Sequence, residues 1–188
     1  MKVGIIGSGG REHALCEIIN KSSKIKNIFC FPGNAGTEEI AQNIEIDSEN
    51  FDEIKNYILN EKIDYVIVGP EKPLVNGLVD YLENYNIKVF GPNKISSRLE
   101  GSKIFTKELC KKFDIPTAKF GIFENKKDAK DFLNNSKYPI VVKADNLASG
   151  KGVYICNNYN DAIFAIDEIF NGKFGEAKNL LIEEYLNG

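Results

Sequence analysis

The sequence lacks the features that mark membrane, secreted and nucleic-acid-binding proteins. No apolar run approaches the roughly 18 residues of a membrane-spanning helix, and the N-terminal run Val3–Ile6 is too short for a signal peptide. A formal net charge of -3 provides no basic excess for nucleic acid or an anionic membrane surface. These absences predict a cytoplasmic protein without nucleic-acid or membrane partners.

Cysteine and histidine are scarce, which limits the catalytic and metal chemistry open to the chain. Cys16, Cys30, Cys110 and Cys156 form no CxxC pair, so we expect small buried side chains in a reducing compartment. The single histidine, His13, lies at the start of a predicted helix. We expect it to pack or to form hydrogen bonds rather than to act as an acid or base.

The first ninety or so residues alternate between apolar strand-like runs, loops and helix-like segments. This alternation predicts an α/β domain with a small parallel sheet, and a chain of 188 residues can hold a second small domain. The predicted strands are 3–6, 27–31, 64–68 and 88–90, and the predicted helices follow His13 and cover 51–59 and 74–82.

The loop after the first strand, residues 7–13, is rich in glycine but does not match the dinucleotide-binding fingerprint. Glu12 stands where the third glycine belongs, and the second strand runs into Pro32 without the acidic residue that holds a ribose. A nicotinamide cofactor is therefore disfavoured. Loop N–H groups, a helix N-terminus and Arg11 would instead suit a phosphate, and a plain strand-to-helix turn is the alternative.

Three loops are expected at the carboxyl edge of the parallel sheet, where ligands of such folds gather. They carry Arg11, Asn34 and Glu71. Asn34 and Glu71 could bind hydroxyl or amine groups of a ligand, and turn chemistry and a solvated surface charge are the alternatives. The loops are 7–11, 32–36 and 69–73.

A boundary is predicted within 91–101, after which the alternation of strands and helices changes. Ser102 can cap the next helix, but Lys103 then places a cation in its first turn, where it opposes the helix dipole unless it meets an anion. The further elements are strands at 118–123, 140–142, 153–156 and 179–186 and helices at 126–133 and 160–170.

The hairpin 140–156 has a glycine-rich tip, Ser149 to Gly152, with Lys151 in the tip and Lys143 in its first strand. Glycine N–H groups and two lysines would suit a polyphosphate. A Walker loop is excluded because Asp145 stands at the position of its first glycine and a strand follows the loop. A nucleotide clamp and an ordinary surface hairpin both remain open.

Taken together, the motifs along the whole chain resemble the phosphoribosylamine–glycine ligases, also called glycinamide ribonucleotide synthetases, of the ATP-grasp superfamily. The combination of GGREHA, GPEKPL and KADNLASGKGV is specific, whereas each motif alone is not. The similar segments are 7–14, 32–37, 68–77, 90–94, 99–107, 115–118, 141–153 and 182–188.

This resemblance implies a small parallel Rossmann-like (pre-ATP-grasp) domain over 1–101 and the first portion of an ATP-grasp domain, with a phosphate lid, over 102–188. It implies a reaction in which ATP phosphorylates glycine and the amine of 5-phosphoribosylamine attacks the acyl phosphate, giving glycinamide ribonucleotide, ADP and phosphate. The implied cofactors are ATP and Mg²⁺ or Mn²⁺.

The resemblance also implies two sets of binding residues, and it assigns no catalytic residue within this chain. Those for 5-phosphoribosylamine are Gly9, Gly10, Arg11, Asn34, Gly36, Pro70 and Glu71. Those for ATP are Lys103, Lys143, Ser149, Gly150, Lys151, Gly152, Glu183, Glu184, Tyr185 and Leu186.

Members of this family are roughly twice as long as this chain, which stops at the expected adenine hinge. The magnesium ligands and the glycine site are expected in a C-terminal half, which would be a partner of these residues. We therefore do not expect residues 1–188 to catalyse the reaction by themselves. Strand 179–186 would then present an open apolar edge. A phosphoribosyl- or nucleotide-binding module without chemistry and another ATP-grasp carboxylate–amine ligase are the alternatives.

Overall fold

The computed structural model describes residues 1–145, 152–175 and 179–187. The chain divides into two compact units, Met1–Ser97 and Arg98–Gly188. No helix in the described ranges is long and apolar enough to cross a membrane.

The first unit is built on a five-stranded parallel sheet in the order β3-β2-β1-β4-β5. The central strands are almost entirely apolar because helices cover both faces of such a sheet. The strands are β1 (Lys2–Gly7), β2 (Asn27–Pro32), β3 (Gln42–Asn43), β4 (Tyr65–Val68) and β5 (Val89–Phe90).

Five helices belong to the first unit, a sixth (α6) begins in it and ends beyond Ser97, and two apolar clusters pack around the sheet. Ile54 and Ile58 of α3 lie in one cluster with Phe31, and Cys16 of α1 lies in the other with Ile5. The helices are α1 (Gly10–Asn20), α2 (Ala35–Glu38), α3 (Phe51–Glu61), α4 (Glu71–Asn76), α5 (Leu78–Glu83) and α6 (Lys94–Gly101).

The parallel sheet and its four predicted strands are confirmed, but the helical prediction over 74–82 is wrong as a single helix. Gly77 adopts a left-handed conformation with φ of 96° and separates α4 from α5. The pattern also missed β3, α2 and α6. Elements as short as β3 and α2 contain too few residues to show a period.

The second unit contains an antiparallel sheet in the order β6-β9-β7-β8. Helices α8 and α9 pack on one face, where Ala129, Leu133 and Ile166 meet Val142 and Ile182. The elements are α7 (Lys103–Lys112), β6 (Phe120–Phe123), α8 (Lys126–Leu133), β7 (Ile140–Ala144), β8 (Val153–Cys156), α9 (Tyr159–Phe170) and β9 (Leu180–Glu184).

The predicted hairpin is confirmed, because β7 and β8 pair from Ile140 opposite Cys156 to Lys143 opposite Val153. The open edge predicted for the last strand is wrong. Strand β9 lies inside the sheet, with β6 on one side and β7 on the other. Both edges of β9 are therefore paired within the chain, and its Leu180 and Ile182 pack in the apolar cluster with α8 and α9.

The cysteine prediction holds for Cys16, Cys30 and Cys156, which are buried, whereas Cys110 is half-buried. All four are free thiols. Burial raises the pKa of Cys156 to about 11 and also raises the pKa of Cys16 and Cys30. The Sγ atoms of Cys16 and Cys30 lie 3.2 Å apart in the core of the first unit.

Helix α3 offers a direct test of the packing, because Ile58 is 1% exposed and the adjacent Leu59 is 48% exposed. We expect Ile58→Ala to lower the free energy of unfolding by about 2–5 kcal/mol. Leu59→Ala, as the matched control, should change it by no more than about 0.5 kcal/mol. Urea denaturation followed by circular dichroism measures both, and equal losses would contradict this orientation of α3.

Candidate functional site

In the first unit, the loops that follow β1, β2 and β4 meet at one edge of the parallel sheet, as predicted. The N–H groups of Gly33 and Gly69 donate to the carbonyls of Gly7 and Ile6, both at 3.1 Å. Arg11 from the first loop reaches Glu71, which begins α4 after the third of these loops. This edge brings the predicted phosphoribosylamine residues together.

Arg11 lies between two carboxylates. Its Nε donates to Glu12 Oε1 at 3.1 Å and its Nη1 donates to Glu71 Oε1 at 3.2 Å. The bond to Glu12, with a further contribution from Glu71, raises the pKa of Arg11. The pKa of Glu71 is lowered by a hydrogen bond from its own backbone N–H and by Arg11. The guanidinium still carries donors beyond these two.

Glu12 is a buried carboxylate that sequence reasoning used only as evidence against a dinucleotide fingerprint. It is 3% exposed, and its Oε2 accepts a 2.6 Å hydrogen bond from the N–H of Gly9. A Cβ on Gly69 would lie 2.1 Å from Glu12 Oε1, and one on Gly7 would lie 2.8 Å from its Cδ. Glycines therefore provide the space that Glu12 fills.

The position of Glu12 carried a signal that could have identified it. It occupies the third position of α1, after the N-cap Gly9, and its side chain reaches back to the N-cap N–H. A glutamate at this position is half of a capping box. The phosphate predicted at this helix N-terminus would therefore share Gly9 and Arg11 with a protein carboxylate.

Asn34 joins two of the loops through its side chain. Its Nδ2 donates to the carbonyls of Ser8 and Gly9 at 2.9 and 3.2 Å. Its Oδ1 accepts from the N–H groups of Gly36 and Thr37 at 2.8 and 3.0 Å. Both amide hydrogens and both oxygen lone pairs are thus engaged, so Asn34 shapes the ligand edge by holding its backbone.

The remaining predicted residues of this edge have backbone roles. A Cβ on Gly36 would lie 2.5 Å from atoms of the His13 ring, so glycine is required for this close packing. The Nε2 atom of His13 lies 3.8 Å from Oε1 of Glu17. Pro70 is the N-cap of α4, and Gly10, the first residue of α1, has open space where a Cβ would lie.

In the second unit, Lys143 and Glu183 lie on the sheet face opposite α8 and α9. Glu183 pairs in register with Val141, two residues from Lys143, and side chains two apart share a face. Lys143 Nζ lies 3.0 Å from Glu183 Oε1. Two predicted ATP residues are thus brought into contact.

The buried Glu183 also forms an ion pair with Lys107, a residue of α7 that sequence reasoning missed. The Nζ of Lys107 lies 3.1 Å from Glu183 Oε2. The signal was available, because Lys107 lies one helical turn after Lys103 on the same helix face.

The carboxylate of Asp145 lies near Lys103 and acts on its charge, which modifies the expectation that the anion near Lys103 would be a ligand. Ser102 caps α7 as predicted, and Asp145 accepts from the Ser102 hydroxyl at 3.1 Å and from the N–H of Ile104 at 3.1 Å. Lys103 Nζ donates to the carbonyl of Ala144 at 2.9 Å. Burial lowers the pKa of Lys103, and Asp145 opposes that shift.

The predicted adenine hinge follows Glu183. The N–H of Lys119 donates to Glu184 Oε1 at 2.8 Å, and Tyr185 and Leu186 are exposed. A cavity of about 730 Å³ lies beside this segment, a size typical of small-molecule sites. Its lining includes Phe120, Phe132, Ile140, Ile182, Glu183 and Glu184.

Part of the predicted phosphate lid can be placed. Gly152 is buried, and its carbonyl accepts a 2.8 Å hydrogen bond from the N–H of Ala144. Ser149, Gly150 and Lys151 lie outside the described residues. Within the ranges 1–145, 152–175 and 179–187, no group of three or more His, Cys, Asp or Glu side chains could hold a metal ion.

Family models match both parts of the chain. The model described as phosphoribosylglycinamide synthetase, N domain, matches residues 1–100. The model described as phosphoribosylglycinamide synthetase, ATP-grasp (A) domain, matches residues 101–188.

Individual proteins show the same similarity. A phosphoribosylamine–glycine ligase of Caldanaerobacter subterraneus subsp. tengcongensis is 42% identical over 190 residues, covering 100% of this chain and 46% of that protein. The chain therefore spans less than half the length of this curated relative.

Solved structures agree with this assignment. The crystal structure of phosphoribosylamine–glycine ligase from Thermotoga maritima has a TM-score of 0.79 and 30% identity, covering 100% of this chain and 44% of that one. The biotin carboxylase domain of Hydrogenobacter thermophilus 2-oxoglutarate carboxylase, in complex with MgADP, ADP and bicarbonate, also has a TM-score of 0.79. It is 22% identical and covers 99% of this chain and 44% of its own, a likeness of fold alone.

The buried contacts of Glu12 predict that its charge stabilises the first loop. We expect Glu12→Gln to lower the free energy of unfolding by about 1–3 kcal/mol, because an amide would turn donor hydrogens toward Gly9 N–H or Arg11. Glu17→Gln is the control on the same helix, since Glu17 is exposed, and should have an effect below about 0.5 kcal/mol. Urea denaturation measures both, and an unchanged stability of Glu12→Gln would refute this role.

Proposed function

Because this chain belongs to the phosphoribosylglycinamide synthetase family, we propose that it forms part of an ATP-dependent ligase that joins glycine to 5-phosphoribosylamine in purine biosynthesis. The first unit would bind 5-phosphoribosylamine, with a domain boundary near residue 101. The second unit would supply part of the ATP site. The remaining residues of the reaction would come from the part of the relatives that this chain does not span.

The observation that carries this proposal is the charged cluster on the open face of the second sheet. Lys143 contacts the buried Glu183 at 3.0 Å. Lys103 lies where β7 ends, with its Nζ on Ala144. Two cations near a sheet face with exposed apolar side chains such as Ile155 suit a nucleotide, whose phosphates need positive charge and whose base needs apolar surface.

The proposed chemistry depends on neutralising phosphate charge while a carboxylate becomes an electrophile. Glycine accepts the γ-phosphoryl group of ATP, and the amine of phosphoribosylamine displaces phosphate from the acyl phosphate. Lys103 and Lys143 would hold ATP phosphates, which lowers the cost of bringing two anions together. Mg²⁺ would supply further charge neutralisation in the complete ligase, and since the described residues offer no ligand cluster for it, no step is assigned to it.

The proposed role of the first unit rests on the edge formed by its three loops. Glu71 and the remaining donors of Arg11 could bind the ribose hydroxyls and the phosphate. Asn34 would support that site by holding Ser8 and Gly9. The two proposed ligands therefore occupy separate sets of residues, which makes the sites separable by mutation.

Arg11→Ala tests the sugar-phosphate site. We expect it to weaken binding of ribose 5-phosphate about tenfold or more, because a charge-assisted hydrogen bond contributes about 1.5–3 kcal/mol, and to leave Mg-ATP binding unchanged. Isothermal titration calorimetry measures both ligands. Lys21→Ala, at the exposed end of α1, is the control, and equal losses for the two ligands would contradict separate sites.

Lys143→Ala tests the nucleotide site in the opposite direction. We expect Mg-ATP binding to weaken about tenfold or more, with ribose 5-phosphate unaffected. Lys111→Ala controls for loss of a lysine, because Lys111 is exposed. Unchanged affinity for ATP would remove Lys143 from the site. If the unsubstituted chain binds sugar phosphate but not ATP, its nucleotide site requires residues outside this chain.

A further inference from the structure

The side chain of Asp145 ties the end of β7 to the first turn of α7. Its Oδ1 accepts a 3.1 Å hydrogen bond from the N–H of Ile104, and the hydroxyl of Ser102 donates to its Oδ2 at 3.1 Å. The same hydroxyl accepts from the N–H of Phe105 at 3.1 Å. Asp145 therefore shares the capping of α7 with Ser102, although 41 positions separate it from Ile104 in the chain.

Lys103 is the first residue of α7, and both of its chain neighbours are bonded to Asp145. The Nζ atom of Lys103 donates to the carbonyl of Ala144 at 2.9 Å, and Ala144 directly precedes Asp145 in the chain. Asp145 therefore holds the helix end that carries Lys103 and belongs to the strand end that accepts a hydrogen bond from it. The position of the ammonium group relative to β7 depends on this carboxylate.

The surroundings of Lys103 oppose its positive charge. A cation in the first turn of a helix meets the positive end of the helix dipole. Burial lowers the pKa of Lys103, and the nearby charge of Lys143 acts in the same direction. The charge of Asp145 raises this pKa, with smaller contributions from Glu100 and Glu183. Among these carboxylates, Asp145 contributes most to keeping Lys103 protonated.

We propose that Asp145 is a positioning residue of the second unit, which fixes Lys103 at the end of β7 and supplies the counter-charge that lets it meet a polyphosphate as an ammonium ion. This inference rests on the proposed ATP binding of the second unit. Asp145 acts through Lys103, because its own oxygen atoms face the first turn of α7. Its hydrogen bonds set the geometry, and its charge sets the protonation.

Asp145→Asn separates the charge from the hydrogen bonds. Asparagine is as good a capping residue as aspartate, and its amide oxygen can still accept from the N–H of Ile104. The substitution therefore keeps the cap of α7 and removes the negative charge near Lys103. Asp131→Asn is the matched control, because Asp131 is exposed on α8 of the same unit and the same charge is removed there.

The first measurement needs no nucleotide. The full chain is labelled with ¹³C-lysine, and the Cε signals are followed by NMR through the alkaline range in which lysine titrates. The signal of Lys103 is assigned by its loss in Lys103→Arg. We expect its titration midpoint to move to lower pH in Asp145→Asn and to stay unchanged in Asp131→Asn. An unchanged midpoint in Asp145→Asn would overturn the proposal.

The second measurement follows Mg-ATP affinity against pH by competition with a fluorescent ATP analogue. A lysine with a lower pKa loses its charge at lower pH, so Asp145→Asn should lose affinity earlier as the pH rises. At alkaline pH we expect it to bind about tenfold more weakly than the unsubstituted chain, with a smaller difference at neutral pH. Adding Lys103→Arg should abolish this alkaline loss, since a guanidinium stays charged. An equal loss at every pH would indicate a merely structural role and refute the proposal.

The two measurements separate this inference from the proposed function. If the unsubstituted chain binds no Mg-ATP, the proposed nucleotide site fails for this chain, and the NMR titration alone decides whether Asp145 supports the charge of Lys103. If Asp145→Asn does not fold, Asp145→Ser takes its place, because serine is also a capping residue and carries no charge. The same two outcomes then support or overturn the proposal.

Discussion

Burial of a carboxylate requires a compensating partner, and this constraint shapes both units. An isolated buried charge costs several kcal/mol, so each buried glutamate of the two candidate sites is surrounded by donors. Glu12 accepts from the Gly9 N–H and from Arg11, and Glu183 lies between Lys107 and Lys143. Arg11 and Lys143, two of the cations that the motifs suggest for phosphate binding, are therefore already engaged by carboxylates of the protein.

These ion pairs reduce the positive charge that each candidate site offers to a phosphate. A phosphate approaching Arg11 would meet a guanidinium shared with Glu12 and Glu71 rather than an unopposed charge. Near Lys103, the carboxylate of Asp145 occupies the N-terminus of α7 and offsets the cation in its first turn. Preformed pairs of this kind hold the side chains in position before a ligand arrives, which lowers the entropy lost on binding.

Close packing against glycine is the second requirement of the first unit. The carboxylate of Glu12 fits only because Gly69 and Gly7 lack side chains, and Gly36 is needed for the same reason beside His13. The glycine-rich loop thus serves the protein's own packing as well as any backbone approach to a ligand. The structure explains why a glutamate replaces the third glycine of a dinucleotide fingerprint at this position.

The sequence by itself determined the features that depend on neighbouring residues. The spacing of apolar residues and the positions of turn residues predicted β1, β2, β4, α3, α8 and the β7–β8 hairpin, because the local sequence pattern determines such elements. The motifs along the whole chain indicated the family. Only the tertiary structure placed β9 between β6 and β7, since strand order is a long-range property that no local pattern encodes. The tertiary structure also revealed the ion pair of Lys107 with Glu183 and the burial of Glu12. Both depend on residues far apart in the chain, since Lys107 and Glu183 lie on different elements and Gly69 leaves part of the space that Glu12 fills.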